Sequence, residues 1–356
     1  MKKIFVLLVI MIFTQTFAQN LGYTGKLIQG GVEDGEKLIK AYIKPLNKAI
    51  VFGMSGVSFM KAQNSIDEKK FFGGIKTVVM QIPKEDLLYD VSKLGLKYIE
   101  AKDPTKTMAP SVFGDSIRTI RLASKTHDLF GRPLYEFDAP TGKETNIMPL
   151  PYLTVGYRMK KSVFSINLIP YIKVPTTDMN IGMLGLSYQQ DLSAFIEALD
   201  NKNYGLDIQG GYSLMYGHEK LSVKPDGVYI PVSVTLHQTG PYDDQKINIF
   251  YNSISLNIYG HYTLNNKFTF FAGTGLVSGT TNIKVLGRYP VYGEDPSHTG
   301  AVIGEDIDDP ININENYSQM LMELGAQVEW KRILVQMKYN IAHYGGFGIN
   351  LSYKFL

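Results

Sequence analysis

Hydrophobic and polar residues alternate strictly along the C-terminal end of the chain. Phe347, Ile349, Leu351, Tyr353 and Phe355 share one parity, and the residues between them are small or polar. A period of two places successive side chains on opposite faces of a β-strand. The segment therefore predicts a strand with an apolar medium on one face and a polar medium on the other.

The same alternation recurs along most of the chain. Tyr204 to Tyr216 carries tyrosines at both ends of its apolar face and aliphatic side chains between them. This order is typical of a strand that crosses a bilayer, because aromatic side chains collect at the two interfaces. The sequence predicts strands over 49–59, 71–82, 111–122, 150–159, 162–173, 181–189, 204–216, 228–238, 247–264, 267–280, 319–331, 333–341 and 346–355.

These thirteen strands cannot all belong to one membrane barrel, since termini on the same side require an even number. Either 281–290 is a fourteenth strand, or 228–238 is an arm of an extracellular hairpin and twelve remain. The long polar segments 123–149 and 286–317 would lie outside the cell. Three residue pairs would form tight periplasmic turns: 160–161, 265–266 and 331–332. We therefore predict an all-β, transmembrane, antiparallel barrel of about twelve strands, with fourteen as the alternative.

Helical periodicity interrupts the strands in three places. The first stripe, 34–46, has Asp34 as its expected N-cap and would cap the barrel mouth or enter the lumen as a plug. The second follows Pro83 and the third covers 191–199, and we expect both as short periplasmic helices. The predicted division is a signal peptide (1–18), an N-terminal helical segment (19–48) and the barrel (49–356).

The N-terminus has the pattern of a secretory signal peptide. Lys2 and Lys3 precede an apolar run over 4–13, and Thr16-Phe17-Ala18 is a small-residue cleavage context. That run is about half the ~20 residues that a membrane-spanning helix needs. We therefore expect cleavage near Ala18 and localisation in the cell outer membrane.

Composition narrows the class of protein further. The chain has no cysteine, and its formal charge of +3 falls to about +1 without Lys2 and Lys3, so nucleic acid is not an expected partner. It combines 23 tyrosines, 18 phenylalanines and 34 glycines with only 19% charged residues. Such a balance is typical of a barrel whose strands face lipid on one side and water on the other.

The parity of each strand assigns its side chains to the lumen or to the lipid. The lumen-lining residues we predict are Asp207, Gln209, His261, Glu323, Gln327, Glu329, Gln336, Lys338, Asn340 and Lys354. The membrane-interface aromatics we predict are Tyr204, Tyr216, Trp330, Tyr339, Phe347, Tyr353 and Phe355. A lumen of mixed charge is compatible with a hydrated passage and with a closed interior of ion pairs.

The sequence offers little for catalysis or metal binding. No two of the six histidines have metal-ligand spacing, and His261 and His343 have no recognisable nucleophile motif beside them. We expect no catalytic residue and no cofactor. Asp306, Asp308 and Asp309 lie in an oxygen-rich loop and are weak candidates for Ca²⁺, although the order of an EF-hand is absent.

Three short motifs resemble those of an uncharacterised family of Bacteroidota outer-membrane β-barrels. They are Thr16-Phe17-Ala18-Gln19, the helix at 35–42 followed by Pro45-Leu46, and the strand-to-helix segment 185–193. The chain is more distantly similar to barrels of the long-chain fatty-acid transporter type, which have fourteen strands and an N-terminal plug. The resemblance implies an outer-membrane location but no established reaction or substrate.

Two roles follow as expectations. The first is passive passage or binding of a small, hydrophobic solute, with the N-terminal helix as a gate. The alternative is a closed barrel that presents its extracellular loops or docks a periplasmic protein. In either role the lipid bilayer of the outer membrane is the principal partner.

Overall fold

Ten antiparallel strands form a closed barrel, in which the first strand pairs with the last. This computed structural model describes residues 27–55, 59–61, 71–159, 161–174, 179–196, 203–225, 229–230, 234–265, 267–295, 297–298 and 301–355. The barrel strands are β1 (Phe71–Gln81), β2 (Ile147–Met159), β3 (Ser162–Lys173), β4 (Met179–Asp191), β5 (Tyr204–Lys220), β6 (Lys246–Leu264), β7 (Phe268–Leu286), β8 (Ile311–Trp330), β9 (Ile333–Ile341) and β10 (Gly346–Lys354).

Each strand pairs with its neighbours in chain order, so the barrel has two distinct ends. At the short-turn end, β2–β3, β6–β7 and β8–β9 are joined by turns in which Lys161, Asn265 and Lys331 adopt positive φ angles. This conformation suits the twist of a tight hairpin. At the long-connection end, residues 82–146, 221–245 and 287–310 link the strands.

The long connections contain small sheets of their own. Leu88–Asp90 pairs with Met108–Pro110, and Ile99–Ala101, Arg121–Ser124 and Glu136–Asp138 form a three-stranded sheet. Val234–Leu236, Arg288–Glu294 and Val302–Asp308 form another. Single-turn 3₁₀ helices occur there at Lys84–Leu87 and Val91–Lys93, whereas the predicted helix at 191–199 is, as far as the structure describes it, a 3₁₀ turn at Leu192–Ala194 at the short-turn end. An ordered layer of backbone therefore covers the long-connection end of the barrel.

Within the described residues, one long helix, α1 (Val32–Met54), precedes the barrel. Its side chains are buried on nearly all sides from Leu38 to Met54. It contacts β1, β2, β6, β7 and β8. Five strands can be reached at once only from the interior, so α1 lies inside the barrel. Among the residues that the structure describes, no helix is both long and apolar enough to cross a membrane.

The predicted strand number is wrong: the barrel has ten strands, neither twelve nor fourteen. The segment 49–59 is helical as far as Met54, and 111–122 lies in the β1–β2 connection. Within 228–238 the described strand is Val234–Leu236, which joins a sheet outside the barrel. The other ten predicted strands are the barrel strands, and 281–290 divides between the end of β7 and the strand Arg288–Glu294.

The helical predictions also need correction. The residue that caps α1 is Gly31, and Asp34 lies inside the helix, which continues eight residues past the predicted end at 46. The segment after Pro83 forms two 3₁₀ turns at the long-connection end instead of a periplasmic helix. The predicted boundary of the barrel at 49 is also early, since β1 begins at Phe71. The signal peptide, 1–18, lies outside the described residues.

The principal apolar core is the contact region between α1, the loop layer and the upper barrel wall. It joins helix residues such as Leu38 and Ile50 to Phe113 in the β1–β2 connection and to Ile249 and Ile313 on the barrel wall. Nearer the short-turn end the interior is mostly polar, with small apolar clusters around Phe59 and Met60. The lumen therefore has an apolar half and a polar half.

Candidate functional site

The barrel interior carries the candidate site, because the N-terminal segment runs through it. The first turn of α1 lies in the loop layer, where the Asp34 carboxylate accepts backbone hydrogen bonds from Lys97, Tyr98 and Ile99 at 2.8, 2.7 and 2.9 Å. Asp34 is fully buried. Its negative charge near the helix N-terminus also has the favourable sign for the helix dipole. This residue therefore fixes the upper end of the helix to the β1–β2 connection.

The middle of α1 is anchored by polar contacts to the barrel rim. Lys48 Nζ lies 3.2 Å from Asp86 Oδ2, and the Tyr344 hydroxyl donates to the same oxygen. Burial raises the pKa of Asp86, but the Tyr344 hydroxyl and the Lys48 ammonium outweigh it and hold that pKa below its usual value. At the adjacent residue, the Tyr251 hydroxyl donates to Asn47 Oδ1 at 3.1 Å.

The last turn of α1 packs closely against the wall. A Cβ placed on Gly53 would lie 3.2 Å from Met80 Cγ of β1 and 3.5 Å from a Leu150 methyl of β2. The Ser213 hydroxyl of β5 donates to the Met54 carbonyl at 3.2 Å. The helix end therefore contacts opposite parts of the barrel and leaves little space beside it.

Below the helix, residues 59–61 lie in the polar half of the lumen and form neither helix nor strand. The Met60 N–H donates to Gln189 Oε1 at 2.9 Å, and Gln336 Nε2 donates to the Phe59 carbonyl. The Arg158 guanidinium donates to the carbonyl of Lys61. Side chains of the wall thus satisfy backbone groups that have no partner in regular secondary structure.

The Phe59 ring lies in an aromatic cage on the lumen wall. It stacks on Phe271 with ring centroids 4.8 Å apart and contacts Tyr259 at 5.6 Å and His261 at 5.4 Å. Phe59 is fully buried. Aromatic pairs at these separations add to the stability that burial itself provides.

Several buried charges in the polar half are paired with side chains of opposite charge or with polar groups. Lys338 Nζ lies 2.6 Å from Glu323 Oε1, and the Tyr259 hydroxyl donates to the other carboxylate oxygen. Asp207 accepts from His261 Nδ1 at 2.7 Å and from Gln189 Nε2 at 2.9 Å. Such groups are stable only as sets, because a buried charge without its partner is costly.

A second ion-pair group lies at the short-turn end. Glu329 pairs with Arg158 Nη2 and with Lys354 Nζ, each at 2.8 Å. Arg158 is only 2% exposed and also binds the Lys61 carbonyl. This group therefore ties three strands to residue 61.

All ten predicted lumen residues lie on the interior face of the barrel. The structure adds two cations that we did not predict, Lys76 on β1 and Arg158 on β2, both about 2% exposed. Parity could have found Arg158, since it alternates in step with Tyr152 and Thr154. The predicted interface aromatics all point outward, towards the two edges of the barrel, and all but Phe347 are among its well-exposed hydrophobic residues.

Some interior polar atoms have no hydrogen-bond partner in the described structure. Among them are the side-chain oxygens of Thr154, Asn167, Ser253, Ser255 and Asn257, with Asn350 Nδ2. Every one of these residues is less than 5% exposed. Buried polar atoms of this kind are usually satisfied by water or by a ligand.

Each of the three predicted calcium ligands accepts a hydrogen bond from a different group of the protein. Asp306 Oδ1 accepts from the Tyr242 hydroxyl at 2.7 Å, and Asp308 pairs with Arg288 at 2.9 Å. Asp309 accepts a backbone N–H at the end of β7 at 2.7 Å. Within the described ranges, no three His, Asp or Glu side chains converge in a way that would hold a metal ion.

The two histidines weighed for catalysis lie far apart. His261 is engaged with Asp207 inside the barrel, whereas His343 is exposed at the long-connection end, beside a cavity of about 260 Å³. The His343 ring nitrogens lie 3.8 Å from Glu85 and 4.0 Å from Asp86. No hydroxyl nucleophile is hydrogen-bonded to either histidine among the described residues.

A family model matches almost the whole chain, residues 1–355, and its description is a family of unknown function, DUF6588. The chain belongs to DUF6588. No curated protein matches it. Membership of DUF6588 supplies neither a reaction nor a substrate.

Several solved membrane barrels are weakly similar in structure to this DUF6588 chain. The outer membrane protease OmpT from Escherichia coli is 10% identical, covering 82% of this chain and 99% of its own, with a TM-score of 0.31. The attachment invasion locus protein Ail of Yersinia pestis is 10% identical, covering 57% and 95%, with a TM-score of 0.26. The P. putida toluene transporter TodX is 10% identical, covering 87% and 76%, with a TM-score of 0.25. Scores this low carry no argument about function.

Proposed function

We propose that this DUF6588 chain is an integral outer-membrane β-barrel. The observation that carries the proposal is the outward apolar band of the strands, with aromatic side chains at both edges. On β8 the band runs from Met320 to Trp330, which are 75% and 63% exposed. Eleven residues at about 3.3 Å each, on a strand tilted by about 40°, give a height near the ~25 Å expected for such a band. In water, this much contiguous apolar surface would aggregate.

The two ends of the barrel support an orientation. Membrane barrels of bacteria have short periplasmic turns and longer extracellular loops. The turns at Lys161, Asn265 and Lys331 would then face the periplasm, and the loop layer would face outward. The test is a carbonate wash of outer-membrane fractions, from which we expect the full-length chain to remain in the pellet. Recovery of the mature chain as a detergent-free monomer would overturn the proposal.

Within the membrane, the geometry best supports a closed barrel that presents its loop layer. The helix α1 fills the upper lumen, and the segment 59–61 is bound to the wall below it. Anchors occur along the whole path, at Asp34, Lys48, Met54 and Phe59. We assign the chain no catalytic role.

Passage of a small solute is the second candidate role. The unpartnered polar atoms around Asn257 and Asn350 favour it, because they can solvate a neutral polar molecule inside the barrel. Passage through this lumen requires α1 to move away from the wall. The two roles therefore differ in one measurable property, the mobility of the helix.

A disulfide can lock the helix, since the chain has no cysteine of its own. The 3.2 Å between a Cβ on Gly53 and Met80 Cγ suits a bond between Gly53→Cys and Met80→Cys. The double variant would be inserted in planar bilayers and its conductance measured before and after reduction. A closed barrel gives no conductance in either state, and each single-cysteine variant serves as the matched control. Conductance that appears only after reduction would overturn the closed barrel in favour of passage.

A further inference from the structure

Three lysines form a cluster on the outer surface of the barrel, above the apolar band. They are Lys220 at the end of β5, Lys246 at the start of β6 and Lys284 near the end of β7. All three share the outward parity of Tyr216 and Phe250, which are the upper aromatic residues of β5 and β6. None of the three lysines has an ion-pair partner among the described residues.

The register places these charges side by side. Lys220 is the direct cross-strand partner of Lys246, and Lys284 is diagonal to Lys246 because it pairs with Asn248. Directly opposed side chains have Cβ atoms about 5 Å apart, and diagonal ones about 7–8 Å. Like charges in these positions repel, so an anion placed between them would stabilise the protein.

The surroundings of the cluster favour an anion that carries hydroxyl groups. Above the aromatic residues, the outward positions of β5 to β8 carry amides, hydroxyls, His218 and lysines, without a carboxylate in the strands as described. In register with Phe250 or above it lie Asn248, Asn282, Asn312 and Asn314, and the two rows directly below it add Asn252, Ser278, Thr280, Asn316 and Ser318. Asp244, two residues before Lys246, accepts a backbone hydrogen bond from Arg288 at 3.3 Å.

The height of the cluster matches the headgroup region of a membrane. Lys220 lies four residues beyond Tyr216, and Lys246 lies four residues beyond Phe250. At about 3.3 Å per residue on tilted strands, the backbone at these lysines lies about 10 Å above the aromatic edge. Polar headgroups occupy the layer directly outside the hydrocarbon core.

We propose that Lys220, Lys246 and Lys284 bind the phosphate groups of a phosphorylated glycolipid in the outer leaflet. The neighbouring amides and hydroxyls bind its sugar hydroxyls. This site rests on the proposed insertion in the outer membrane. It adds a lipid partner of defined chemistry to the bilayer as a whole.

The test uses the full-length chain folded in detergent, with lipid A and dephosphorylated lipid A as probes. Binding would be measured by native mass spectrometry at low and high salt, for the wild type and for the variant Lys220→Gln/Lys246→Gln/Lys284→Gln. We expect the wild type to prefer the phosphorylated lipid and the variant to bind it roughly ten- to hundred-fold more weakly. High salt should reduce the difference.

Controls separate this site from general charge and from folding. Lys93→Gln/Lys106→Gln/Lys143→Gln removes the same charge from exposed positions in the loop layer and should bind as the wild type does. A heat-dependent gel shift of each variant reports insertion. Inserted wild type that binds both lipids equally would overturn this site and leave the proposed function intact. Wild type that does not insert at all would overturn the proposed function first.

Discussion

Asp34 offers a sharp test of how the N-terminal helix is held. The change Asp34→Ala removes a fully buried carboxylate and leaves three backbone N–H groups, at Lys97, Tyr98 and Ile99, without their acceptor. A hydrogen bond to a charged group contributes about 1.5–3 kcal/mol, and the buried N–H of Ile99 would carry a desolvation cost as well. We therefore expect the local free energy of opening at 97–99 to fall by at least ~3 kcal/mol, which is more than a hundredfold in exchange rate.

Hydrogen exchange of the folded, inserted protein measures this directly, because amides at 97–99 exchange only when that contact opens. The matched control is Glu33→Ala, one residue earlier, where the side chain is 55% exposed and pairs with Lys37. A surface pair of this kind contributes about 0.5 kcal/mol or less, so exchange at 97–99 should hardly change. Equal protection in Asp34→Ala and in the wild type would refute the anchoring role.

Two further changes probe the lumen wall and the rim. Lys338→Met should destabilise the folded barrel by about 3–5 kcal/mol, since it leaves Glu323 charged and buried, and adding Glu323→Gln should restore much of the loss. Urea unfolding in lipid measures both, and a double variant no more stable than the single one would contradict this account. At the rim, the pKa of Asp86 is lowered in the folded state, so its stabilising contribution is present above its ordinary value of 3.8 and disappears as pH falls below it. Exchange at Tyr344 should therefore accelerate below about pH 4 in the wild type, whereas in Asp86→Asn it should be fast at every pH.

Sequence parity predicted the barrel strands well because each strand separates two media. Along β9, for example, Val335 and Met337 face outward while Gln336 and Lys338 face inward. The alternation is imposed by lipid on one side and by a polar interior on the other, so it is visible in a single sequence. It also assigned each side chain to a face, though it could not show which interior residues pair. The contact between Glu323 and Lys338, for instance, depends on the register of β8 and β9.

Parity reasoning failed for the N-terminal helix, because this segment does not separate lipid from a polar interior. The segment Ile50-Val51-Phe52 falls within the strand predicted over 49–59. In the structure it is the last part of a helix that is enclosed on all sides by the barrel. A helix surrounded by apolar wall needs no polar face, so it loses the amphipathic pattern by which helices are recognised. The strand predicted at 49–59 and the helix predicted to end too early, at 46, are therefore wrong for the same reason.

The division of the lumen into two halves follows from the backbone of the segment that fills it. The helix α1 satisfies its own N–H and C=O groups, so its surroundings can be apolar, as they are around Ile249 and Ile313. Residues 59–61, which form neither helix nor strand, cannot do this, and the wall supplies Gln189, Gln336 and Arg158 as partners. Much of the polar lower lumen is therefore required by the plug itself. Polar residues inside a barrel are weak evidence for a channel when a segment without helix or strand lies among them, and this favours the closed barrel over passage.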